Sequence, residues 1–196
     1  MKLKYAPGLV ALIAGMAALP VASQAAPQSC TAGKPTPASY TWNFHAEASR
    51  LLSGIQVDAA KAHDRAAKLD VYTLDSNVDW RLHANQLDAL KREVDDMGQR
   101  LCRLEQIRHV AAPWQQKAID DAAASVRLMA DNVQEAIEFL NEYQANFWEP
   151  GYRHNVSNVL HESGQLSRSV QNLEQYATVH REDLQLQKEL GIGGKS

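Results

Sequence analysis

Beyond its first thirty residues this 196-residue chain has no apolar run long enough to cross a bilayer, which takes about 20 residues of helix. No long block of like charge occurs, so the chain carries neither a polybasic membrane arm nor an acidic tail. The strict apolar–polar alternation of a half-buried strand is missing, and β-branched residues are sparse in the long runs. The formal charge of −3 argues against the basic surface that nucleic acid would require. There are only two cysteines, Cys30 and Cys102, too far apart for a CxxC redox pair, and no CxxCH haem-attachment site.

Catalytic signatures are missing too. There is no GxSxG elbow and no glycine-rich phosphate loop. "HESGQ" at His161 opens like a zinc-protease HExxH but ends in Gln165. No two histidines are three or four residues apart, and none follows a Glu at the ExxH spacing of carboxylate di-iron bundles. Acidic pairs such as Asp95–Asp96 and Asp120–Asp121 fall on polar helix faces, where neighbouring side chains diverge; they solvate the surface. The sequence reads as non-enzymatic.

What is present begins with "MKLKYAPGLVALIAGMAALPVASQA". Lys2 and Lys4 precede a twelve-residue apolar run from Gly8 to Leu19, followed by small residues up to Ala25, the layout of a secretory signal peptide over residues 1–25. Cleavage would leave 171 residues and, by removing Lys2 and Lys4, lower the formal charge to −5. Such a chain is long enough for one domain with a real core. It is expected in the periplasm or outside the cell, with no integral span.

Residues 26–40 form an extended leader rich in Pro, Ser and Thr, unsuited to a helix. From 41 to 190 the texture is helical, interrupted by Pro113, Pro150 and the polar turn at Asp70–Asn77. Four helices are expected, about 41–69, 77–110, 113–147 and 152–190, followed by a tail at 191–196. Apolar residues recur at spacings of three and four: Ala48, Leu51, Ile55, Ala62 and Leu69 in the first run, and Trp80, His83, Leu87, Leu90, Val94, Met97, Leu101 and Leu104 in the second. The third carries Ile119 through Leu140, Tyr143 and Phe147, and the fourth Val156 through Ala177, His180 and Leu184. Ser76 and Asp79 resemble a capping box, and Gly191 a C-terminal cap. Heptads in four successive runs with short connections predict an all-α, elongated, antiparallel up-down-up-down four-helix bundle. Pairing of two hairpins across a homodimer is the competing arrangement. Gly54 and Gly98 read as tolerated helix defects costing about 1 kcal/mol each.

In an oxidising compartment an even cysteine count predicts a Cys30–Cys102 disulfide tying the leader to the second helix. Among the histidines, His83 and His180 fall on seams, whereas His154 and His161 face outwards. Counting from the turns brings His45, His109 and His180 to one end of the bundle, with Trp42, Phe44 and Trp114 nearby. That end is the candidate site for a metal, haem or small ligand. The leading expectation is an interaction, adaptor or chaperone-like module of the cell envelope acting on protein partners without a cofactor. Tyr40, Trp42, Trp148 and Tyr152 are candidate partner anchors beside the turns.

Overall fold

A computed structural model describes residues 43–75, 77–144 and 149–191. Four helices make up the architecture: α1 (Phe44–Tyr72), α2 (Trp80–Ile107), α3 (Pro113–Glu142) and α4 (Pro150–Glu189), with one 3-10 turn (Arg108–Val110) after α2. Each packs along its sequence neighbours, and α4 returns to lie against α1, closing an antiparallel four-helix bundle. At 1.5 Å per residue, the 28 to 30 residues of α1, α2 and α3 reach about 42–45 Å, while the 40 of α4 reach about 60 Å. No helix among the described residues is long and apolar enough to cross a membrane.

Local chemistry sets the ends. Asn43 caps α1 by accepting the Ala46 N–H at 3.0 Å. Asp79 caps α2 itself, accepting the Arg81 N–H at 2.9 Å. This replaces the expected Ser76 box, and Ser76 lies outside the described residues. Pro113 and Pro150 open α3 and α4 at positions where a missing N–H costs nothing. Gly191, at φ +65, ends α4 with its N–H on the Lys188 carbonyl, as the sequence suggested. The third helix stops at Glu142, earlier than expected. Tyr143 leaves the helix and is 44% exposed, because residues 141–144 offer no buried face to hold another turn. Phe147 and Trp148 lie outside the described residues.

The α1 seam is Ala48, Leu52, Ile55, Ala59, Ala62, Ala66 and Leu69, all fully buried; Leu51 sits half-buried on its flank rather than in the seam. Four alanines in that stripe let neighbours approach closely, so the core is narrow. Larger side chains on the other helices fill it: Leu87, Leu90, Met97 and Leu104 from α2, Ile119 and Met129 from α3, and Leu166 from α4. Each fully buried leucine or isoleucine contributes about 1.5–3 kcal/mol. The α1–α4 register is pinned by His63, whose Nδ1 lies 3.0 Å from the Leu160 carbonyl oxygen. Gly164 makes room for that ring, since a Cβ there would stand 3.0 Å from Nδ1.

Candidate functional site

The three histidines at the expected end are not gathered into a ligand set. His45 is exposed, and its Nδ1 meets Oε1 of Gln115 at 3.2 Å. His180 is exposed on α4 and stacks flat on Tyr176, with ring centroids 6.0 Å apart. His109 is exposed in the 3-10 turn. All three rings are exposed, and the one inward contact among them is that of His45 with Gln115. No group of three His, Cys, Asp or Glu side chains that could hold a metal occurs among the described residues. The residue that organises this corner is Gln115, 1% exposed. Its amide donates to the His45 carbonyl at 2.8 Å and to Ser49 Oγ at 3.0 Å, while Oε1 accepts the Ala112 N–H at 2.9 Å. A polar residue in a buried helical position was the available clue. Phe44 and Trp114 pack half-buried on the core here, and Trp42 lies outside the described residues.

At the opposite end the seam histidine is fully buried. His83 Nδ1 lies 3.0 Å from the Tyr152 hydroxyl, and its ring stands edge-on to Tyr72 and Tyr152 at 5.8 and 5.6 Å. Phe139 from α3 packs on Tyr152 at 5.9 Å. Burial in this aromatic box pushes the imidazole pKa below its ordinary value and the Tyr152 phenol well above its own. Tyr152 is therefore no surface anchor for a partner: at 0% exposure it belongs to the core. Tyr40, Trp42 and Trp148, the other candidate anchors, lie outside the described residues.

Carboxylates concentrate between α1 and α2. Asp58, 2% exposed, takes Arg100 Nε and Lys61 Nζ, both at 3.0 Å; Glu47 takes Arg103 at 2.7 Å, and Glu93 takes Arg65 at 3.2 Å. Hydrogen bonding to Asp58 raises the Lys61 pKa, and that to Glu47 raises that of Arg103. Gly54 is part of this arrangement and not a mere defect. A Cβ there would stand 2.7 Å from Arg100 Nε, so the missing side chain is what lets the guanidinium cross to Asp58. Gly98 faces open space, as a tolerated interruption would. Every acid in the group has a cation or amide opposite it, an arrangement that fixes register and leaves no unengaged acid–base pair. Asp120 pairs with Arg108 at 2.7 Å and Asp121 with Lys117 at 2.9 Å on the surface.

The feature left over is the far end of α4. The His63–Leu160 and Ser53–Glu174 contacts place the first residue of α1 level with about residue 180 of α4, and the Asn132–Asn158 and Ser125–Glu162 contacts place the first residue of α3 level with about residue 176. Ala177 is the last buried residue among those described, and everything from Thr178 to Gly191 is exposed. His180 and Leu184 keep the seam spacing, yet among the described residues no helix runs alongside to cover them. Tyr176, Val179, Leu184, Leu186 and Leu190 are 52–67% exposed, the densest set of large exposed apolar side chains in the described chain. A shallow depression of about 320 Å³ lies along Leu184, Gln187, Lys188 and Gly191.

Cys102 is half-buried on α2 and Cys30 lies outside the described residues. The chain matches no known protein family, no curated protein and no solved structure.

Proposed function

We propose that this chain is an exported, non-enzymatic helical bundle that works as an interaction module of the cell envelope through the projecting end of α4. The observation that carries the reading is that α4 continues as helix for about three turns past its neighbours while keeping large apolar residues there. A bare helical end gains nothing by exposing leucine and valine to water; such a patch is used by burying it on something else. The buried polar groups support the same reading. His83, Gln115, Asp58 and Glu47 are tied into contacts that hold helices together, which leaves the α4 end as the region with unspent apolar surface. The signal-type segment at 1–25 supports export to the periplasm or beyond, and a Cys30–Cys102 link is part of this proposal, tying the leader to α2.

Site-specific photo-cross-linking in living cells tests it. A benzophenone side chain in place of Leu186 should yield one defined adduct in the envelope fraction, and the same probe in place of Leu128, exposed on α3, should not. Equal labelling from both positions, or a chain that stays in the cytoplasm with its first 25 residues attached, would overturn the reading.

A further inference from the structure

We infer that the free end of α4 is a docking face for a basic amphipathic α-helix from another protein, a step that rests on the interaction-module reading. Tyr176, Val179, Asp183, Leu186 and Leu190 are spaced three, four, three and four, the rhythm by which Val156, Val159, Ser163, Leu166 and Val170 pack against the bundle. Knobs at that spacing fit the holes of another helix, so a helix is the shape that completes the stripe. The stripe spans about 21 Å, which calls for about 15 residues of partner helix.

Charge sets the partner's chemistry. At 100° per residue, Glu182 and Glu189 fall along one edge of the stripe and Asp183 in its middle, while Arg181 and Lys188 point to the opposite side of the helix. Asp183 and Glu189 accept hydrogen bonds from the amides of Gln187 and Gln185 at 2.8 and 3.0 Å. No ion pair reaches any of the three carboxylates among the described residues. A leucine-type seam edged with Lys or Arg satisfies both the apolar spacing and the three acids. A second copy of this chain fits poorly, because antiparallel pairing on this stripe sets the Glu182–Glu189 edge of one against the same edge of the other.

The test uses the full processed chain and two synthetic helical peptides of about 20 residues with leucine at heptad positions, one edged with Lys and Arg and the other with Glu. Fluorescence anisotropy should show the basic peptide binding at least about tenfold tighter, with the preference shrinking at high salt. The triple variant Glu182→Lys, Asp183→Lys, Glu189→Lys should reverse the order. Leu186→Ser with Leu190→Ser should lose the basic peptide while thermal unfolding is unchanged. Equal affinity for the two peptides, or full binding by the serine variant, would overturn the inference. So would a concentration-dependent dimer that the serine variant dissolves, which would assign the stripe to a second copy. A defined cross-link from position 186 in cells with neither peptide bound would sink the basic-helix partner alone and leave the interaction reading standing.

Discussion

At one end of the rod the helices close over His83, Tyr72, Tyr152 and Phe139; at the other, α4 runs on past the other three described helices. Both ends carry aromatic and histidine side chains, yet their fates are opposite. His83 sits at 0% exposure against a hydroxyl, whereas His180 lies in solvent on Tyr176. The difference teaches that burial here is decided by the lengths of neighbouring helices and not by residue type. Where four helices end together the aromatics seal the rod, and where three end early the same kinds of residue become surface.

If the sealed end is structural, Tyr152→Ala should cost about 3–5 kcal/mol in denaturant unfolding, because it empties a fully buried volume. Tyr152→Phe, which keeps the ring and removes only the hydroxyl partner of His83, should cost about 1 kcal/mol. A cost for Tyr152→Ala below that of Tyr152→Phe would break the contrast between the ends.

The sealed end should also respond to pH. Burial holds the folded-state pKa of His83 below the ordinary 6.5, so the unfolded chain takes up the proton first as pH falls. Stability from this residue is complete above about pH 6.5 and declines as pH drops toward the folded-state value. Replacing His83 with Gln should remove that part of the slope. Unfolding curves of the wild type and His83→Gln measured from pH 8 to 5 read that loss.

Smaller effects sharpen the picture between the ends. In the wild-type background Gly54→Ala should destabilise by about 1 kcal/mol or less, because the gain in helix propensity is outweighed by displacing Arg100 from Asp58. Combined with Arg100→Ala the same change should become stabilising, and a double-mutant cycle reads the change of sign. Leu186→Ser should alter stability by less than about 0.5 kcal/mol, since the side chain is more than half exposed. A larger loss at Leu186 would mean the open end belongs to the core.

The four helices were legible because long heptads leave few alternatives, and Pro113 fixed the start of the third. The finer errors have a common cause. Spacing gives height along a helix better than rotation about it, so His45 and His180, expected to face each other with His109 at the rim, are exposed and form no ligand group among the described residues. The shift from Leu51 to Leu52 is the same error at the scale of one residue. Gly54 needed knowledge of what lies across from it, which only Arg100 supplies. The α4 extension was not read from the sequence, because heptads that continue past the last neighbour look like core in one dimension. Tyr152 was assigned to a turn because helix four was started two residues late.

The imidazole of His63 lodged over Gly164 gives the molecule a mechanical property. Sliding α4 along α1 by one turn would bring Leu160 or Arg168 beneath the ring, and neither leaves the gap that glycine provides. A tug on the tip of α4 is therefore carried as shear through a notch near mid-rod. The tip can be used as a handle without letting its helix ratchet past the others.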